Sequence, residues 1–272
     1  MSATTAHLRT PTAPALPELR VTFPRVIKSE WLKLWSLRSS WYTLAAAILS
    51  IVVIDTLLGL TLGERWATLQ PDDHQASATM RGYQLAQLLV GVLGALYVTG
   101  EYGTGMIRST FAAVPKRLPV LGAKTAVLGS VALVTMVAAC FAGFFGAQAF
   151  LSGYHHSFSL SQSGVLRVVA GTGVYLTLIG LLGLALGWIL RSTAGAISTL
   201  VGILLVLPVL FSAIGSSVDS IAQYLPSKAG ASFINNIHAA GTLSPWTGLI
   251  VLVAWVLAAF GLAAYLVRRR DA

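Results

Sequence analysis

Charge is what this 272-residue chain has least of. Only 10% of its residues are Asp, Glu, Lys or Arg, against roughly a quarter in an ordinary soluble domain, which excludes a solvated globular surface over most of its length. Cysteine is nearly absent. The single Cys140 sits in an apolar run, so no intrachain disulfide framework can form and a small buried residue is the reading it supports. Histidine is scarce too: His7, His74, His155, His156 and His238 all fall outside the apolar runs. A hydrolase working at membrane depth would need one of them inside as a base. His155 and His156 are adjacent, so on an extended segment they point apart. With no Cys or acidic cluster beside them they read as a solvated loop, not a metal site. No stretch carries the G-x-x-x-x-G-K-[ST] loop that cradles nucleotide phosphates. The nearest, Gly122-Ala123-Lys124-Thr125, has alanine before the lysine, so the chain should not bind ATP in that manner. Short strands of alternating polarity are also missing, which argues against a membrane barrel.

What is present is apolar: 56% of residues are hydrophobic and the mean hydropathy is +0.77. A helix needs about 20 mostly apolar residues to cross the hydrocarbon core. Six stretches qualify, roughly 41–62, 82–100, 124–151, 165–190, 194–214 and 246–267, so an all-α integral membrane protein is expected. The net charge of +9 would suggest nucleic acid in a soluble chain, but these cations lie between spans, and no nucleic-acid partner is expected. With the N-terminus in the cytoplasm, 14 of the 18 Lys and Arg fall on the cytoplasmic side and Arg65, Arg81, Arg167 and Lys228 outside. The positive-inside rule selects that orientation. Both termini are then cytoplasmic. Residues 1–25, with Pro11, Pro14, Pro17 and Pro24 and no signal-peptide apolar stretch, read as a disordered cytoplasmic tail, and 269–272 as a second tail.

Local signals fit this frame. Ser244-Pro245-Trp246 opens the last span with a capping residue, an N1 proline and an interfacial aromatic. Pro208 predicts a kink within the fifth span. Gly91 and Gly94, Gly143 and Gly146, and Gly180, Gly183 and Gly187 place small residues on single helix faces, where backbones can approach closely. Asp55 is the acid farthest inside a span, in the outer third of a core about 30 Å thick. Three readings stay open for it: lining a translocation path, pairing with Arg65 or Arg81, or reaching outer-leaflet water. The external segment 215–245 is too polar to span. Its Ile221, Tyr224, Leu225, Phe233, Ile234 and Ile237 predict short helices returning toward the membrane.

Two cytoplasmic stretches are patterned without being spans. The first, RVIKSEWLKLWSLRSSW, predicts a basic amphipathic helix over 26–40 with Ile27, Trp31, Leu34 and Trp35 on its apolar side, suited to the membrane surface. The second, GEYGTGMIRSTFAAVPKR, follows the second span. Ile107, Thr110, Phe111 and Val114 recur at helical spacing until Pro115, giving a short amphipathic helix with Arg108, Lys116 and Arg117 toward water or phosphates.

Together, the SEWLKLWSLRSSW helix, the VTGEYGTGMIRSTFAAVPKRLPVLGAK junction and the six spans resemble the permease subunit of an ABC-2-type ABC transporter over residues 26–268. The resemblance implies an N-terminal interfacial helix carrying Glu30, Trp31, Lys33 and Trp35. It also implies a coupling helix between spans two and three, seated on an ATPase and falling here on Glu101, Tyr102, Gly103, Thr104, Gly105 and Arg108. The implied partners are two copies of a separate ATPase holding ATP and Mg, a second permease subunit in a homodimer or heterodimer, and the lipid bilayer of the plasma membrane. No catalytic residue, metal or cofactor is expected in this chain. The implied activity is export of an amphiphilic small molecule or lipid, with Asp55 as the candidate for the path. A non-transporting scaffold or assembly subunit and an intramembrane hydrolase are the alternatives.

Overall fold

The structure is a computed structural model that describes residues 21–69, 74–215, 218–236 and 242–270. Every regular element among them is helical. In chain order these are α1 (Phe23–Ser36), α2 (Arg38–Arg65) prolonged by a 3-10 turn (Trp66–Thr68), α3 (Ala76–Thr79), α4 (Tyr83–Gly103), α5 (Met106–Ala113), α6 (Leu118–Gly153), α7 (Val165–Leu190), α8 (Thr193–Val201), a π-helical turn (Gly202–Val206), α9 (Leu207–Ile214), α10 (Asp219–Ala222), α11 (Pro226–Ile234) and α12 (Pro245–Arg269). Six helical stretches are long and apolar enough to cross a membrane: α2 with its 3-10 turn, α4, α6, α7, the α8–α9 run and α12. They coincide with the six expected spans.

Boundaries differ where local chemistry overrides hydropathy. Helix α1 begins at Phe23, inside the stretch read as tail, because Pro24 sits in its first turn, where a missing N–H costs nothing. The tail reading of residues 1–20 lies outside the described residues. Leu37 is extended and separates α1 from α2, so the helix expected over 26–40 stops at Ser36 and Arg38 already belongs to the first apolar helix. Helix α6 starts at Leu118, with Pro119 in its first turn, ahead of the apolar run that begins at residue 124. Ser244 caps α12 as expected, its hydroxyl accepting from the Thr247 N–H at 3.3 Å.

Pro208 is absorbed by the π-helical turn that precedes it. A proline lacks the N–H that would bond to Leu204 and its ring crowds that carbonyl, and widening the preceding turn relieves both. Helix α7 is the centre of the bundle: 72% of its most apolar window is buried, against 11% for the α8–α9 run. It packs on α4, α6 and α12. The crossing with α4 is backbone on backbone. A methyl group added at Gly94 would lie 2.0 Å from the Gly180 carbonyl oxygen, and one at Gly183 would lie 2.1 Å from that of Gly91. Neither position tolerates a side chain. Beyond the spans, α10 and α11 lie in the 215–245 segment, and α11 returns to pack on α12 and α7. Phe233 and Ile234 are buried there, while Ile237 lies outside the described residues.

Candidate functional site: a buried four-ion cluster

Four charged side chains that the sequence scatters over three segments meet at one end of the bundle. Glu30 comes from α1 and is fully buried, Glu101 from the last turn of α4 is 4% exposed, and Lys124 from α6 is fully buried. Lys33, one turn after Glu30 on α1, closes the group with its side chain a quarter exposed. Helix α1 brings its pair inward because Val26, Glu30 and Leu34, spaced four apart, form its buried face.

The geometry satisfies both ammonium groups. Lys124 Nζ lies 2.7 Å from Glu30 Oε2 and 2.8 Å from Glu101 Oε1, and donates to the Tyr97 carbonyl at 3.3 Å. It also sits 4.2 Å from the centre of the Tyr97 ring, where the ring quadrupole favours a cation. Lys33 Nζ donates to Glu30 Oε1 at 2.8 Å, to Glu101 Oε1 at 3.0 Å and to the Thr110 hydroxyl at 3.2 Å. Each lysine thus has three acceptors for its three N–H groups. The Tyr97 hydroxyl donates to the Glu30 carbonyl at 2.8 Å and approaches Glu30 Oε2 at 3.4 Å. Two cations and two anions sum to zero, which is what makes so dry a site tolerable. Burial alone would pull the Lys33 amine down, but the carboxylates of Glu30 and Glu101 outweigh it and hold the amine above the usual lysine range.

The cluster ties α1, α4 and α6 together and reaches α5 through Thr110. Helix α5 opens at Gly105, which has φ +73°, a left-handed conformation that favours glycine. Its Ile107 and Phe111 are buried, whereas Gly103, Thr104, Gly105 and Arg108 are exposed. The six residues of the GEYGTGMIRST junction singled out above therefore divide. Glu101 faces the cluster, Tyr102 is half-buried, and the other four form an outward surface.

Other expectations are redistributed. Trp31 is 43% exposed and stacks edge-on against Trp35, which in turn lies 4.3 Å from Trp41, so Trp31 lies on the outside of α1 while Trp35 is half-buried and packs against the core. Lys124, counted among the loop cations, is inside the bundle. Arg117 does not simply face water: its guanidinium lies over the Phe111 ring and bonds to carbonyls at the end of α12. Asp55 makes no ion pair with Arg65 or Arg81. It is 1% exposed, accepts from the Gly82 N–H at 2.8 Å and abuts Gly143 of α6, so it lines no open path in this conformation. His156 is no freely solvated loop residue either, since His74 and His156 both stack parallel to Trp66, at 4.6 and 4.3 Å. Among the described residues no three His, Cys, Asp or Glu converge as metal ligands. No protein-family model and no curated protein matches the chain.

Proposed function

We propose that this chain is the permease subunit of an ABC-2-type transporter in the plasma membrane, with both termini cytoplasmic. Its work would be driven by ATP and Mg bound in a separate ATPase, and it would export an amphiphilic small molecule or lipid together with a second permease subunit. The observation that carries the reading is the buried cluster. It fastens α1 and α5, neither of which is long enough to span, to the ends of two helices that are. An ATPase can move spans only through an element that transmits force, and coupling requires contacts whose energies differ between two global states. In this reading α5 is the docking helix, exposing Gly103, Thr104, Gly105 and Arg108, and α1 lies at the membrane surface.

Electrostatics support the same orientation. At the end of the bundle that holds the cluster, Arg25, Lys28, Arg38, Arg108, Lys116, Arg268, Arg269 and Arg270 are exposed. The acids described there, Glu30 and Glu101, are both buried. An outward face with this balance suits an anionic inner leaflet and an acidic cleft on a partner.

The test is purification of the tagged chain from its native membrane in mild detergent, with copurifying proteins identified by mass spectrometry. A stoichiometric ATPase is expected, and Arg108→Glu should release it while leaving the fold intact. Recovery of the chain without any ATPase under several mild solubilisation conditions would refute the reading. Glu101→Ala is the poorer probe, because Glu101 binds both lysines and its loss perturbs the bundle as well as the docking surface.

A further inference from the structure

Two arginines at the same end of the bundle adopt backbone conformations that their side chains disfavour. Arg117, just before α6, and Arg191, just after α7, both have φ of 52°, in the left-handed region where a Cβ is strained. Their guanidinium groups converge on one target, the last turn of α12. Arg117 Nη1 donates to the Arg270 carbonyl at 2.8 Å and to that of Val267 at 3.4 Å. Arg191 Nη2 donates to the same Arg270 carbonyl at 3.3 Å. Arg270 replies, its own Nη1 donating to the Ile189 carbonyl at 3.1 Å. The final carbonyls of a helix have no partner within it and carry the negative end of its dipole, so cations there are well placed.

The other faces of the same guanidiniums touch the candidate docking region. Arg117 lies 5.3 Å from the centre of the Phe111 ring on α5, and Arg191 lies 5.1 Å from that of Tyr102 at the end of α4. Both rings pack against Trp188 of α7, Tyr102 edge-on at 6.1 Å and Phe111 stacked at 6.3 Å. Elsewhere α12 has little to hold it. Only 22% of its most apolar window is buried, against α7 and α11 with a minor contact to α6.

We propose that Arg117 and Arg191 form a latch that ties the end of the sixth span to α5 and the end of α4, so that displacement of α5 frees the last turn of α12. This rests on the reading of α5 as the docking helix, and deepens it by naming the span that responds. Moving Phe111 withdraws the ring that supports Arg117. The bonds to Val267 and Arg270 then lose their geometry, and with them the polar restraint that adds to the burial of Ala263 and Val267 at that end of α12.

Hydrogen exchange on the purified full-length chain, with no ATPase present, tests the latch apart from the docking. Arg117→Gly with Arg191→Gly removes both guanidiniums while relieving the positive-φ strain. Exchange of the amides at 266–270 should rise at least about tenfold with α7 unchanged, since charge-assisted bonds are lost. Phe111→Ala alone should raise exchange at 266–270 as well as on α5, and should add nothing at 266–270 in the double-glycine background. Should the glycine pair fail to fold, Arg117→Lys with Arg191→Lys keeps both charges, removes the planar group that stacks and bridges, and is expected to give the same rise. Unchanged exchange at 266–270 in the arginine variants overturns the latch. A Phe111→Ala effect confined to α5 overturns its link to docking. If the latch behaves as described but no ATPase copurifies, the functional reading fails and the latch stands.

Discussion

Lys124→Met is the substitution that asks most of the cluster. Methionine is close to lysine in length, so the volume beside the Tyr97 ring is retained and the change is chiefly one of charge. The variant leaves Glu30 and Glu101, both almost fully buried, facing a single ammonium, that of Lys33. The site passes from neutral to a net charge of about −1, and Glu30 Oε2 loses the cation that lay 2.7 Å away. Removing one partner of a buried pair typically costs about 3–5 kcal/mol, because the other charge is left uncompensated. At roughly 2–4 °C per kcal/mol for a domain of this size, the apparent Tm should fall by roughly 6–20 °C. Lys28→Met, on the exposed side of the same α1 helix, is the control and should leave the midpoint where it is.

The decisive variant is the double one. Adding Glu101→Gln to Lys124→Met restores neutrality, keeps an acceptor for Lys33, and leaves one Glu30–Lys33 pair. Balanced removal of buried charges is often close to neutral, so the double variant should recover most of the loss, with a coupling energy of at least about 2 kcal/mol between the two sites. Thermal unfolding in a single detergent, followed by tryptophan fluorescence, measures all four proteins of the cycle. A Lys124→Met midpoint within about 1 kcal/mol of the unmodified chain, or additive behaviour in the double variant, would refute the claim that these groups are ionised and mutually compensating.

Three further outcomes follow from the same structure. Gly105→Ala should cost about 1–3 kcal/mol through its φ of +73°, whereas Gly103→Ala, with open space where the added methyl would stand, should be close to neutral; melting curves of the two compared side by side check this. Asp55→Asn keeps an acceptor for the Gly82 N–H and should be tolerated, while Asp55→Ala leaves that buried donor without a partner and should cost about 1–3 kcal/mol, read from the same melts. The Lys33 amine is held above the usual lysine value of 10.5, so its contribution is complete below that value and is lost only as pH rises through the higher folded value. Stability measured from pH 7 to 9 should therefore show no slope in the unmodified chain that Lys33→Met removes.

The spans are legible in the sequence because bilayer thickness imposes a length on apolar runs, and the ends are legible where capping chemistry is local, as at Ser244-Pro245. Gly94 and Gly183 can be read as small-residue faces, but which helix each meets depends on tertiary packing that no period encodes. The cluster is the opposite case. Lys33 and Glu101 are 68 residues apart, and each residue alone looks like a flank charge. Lys124 is the most misleading, standing at the boundary where hydropathy rises and passing for a loop cation. Two signals point to it: Pro119 starts the third spanning helix before Lys124, and the only described acids on the cation-rich side are Glu30 and Glu101. Asp55 escapes a sequence reading for a related reason. Its partner is a main-chain N–H in the turn before α4, and sequence carries no label for that.

Why ions should hold this junction is a question of position more than of strength. Helix α1 fully buries only Val26, Glu30 and Leu34, with Ile27 and Trp35 partly buried beside them, a narrow stripe whose apolar contacts alone discriminate weakly between neighbouring rotations. A slip of one residue would turn α1 by about 100° and carry Glu30 away from Lys124 and Tyr97, leaving charges buried and unpaired. The cluster therefore penalises every rotation but one. Within it the links are unequal: Lys124 joins α1, α4 and α6 from a fully buried position, whereas α5 joins the cluster through the 3.2 Å bond between Thr110 and the partly exposed Lys33, its other contacts being the apolar ones of Ile107 and Phe111. A pull on α5 would break that bond before the Glu30–Lys124–Glu101 core, so α5 can shift against a frame that keeps its register.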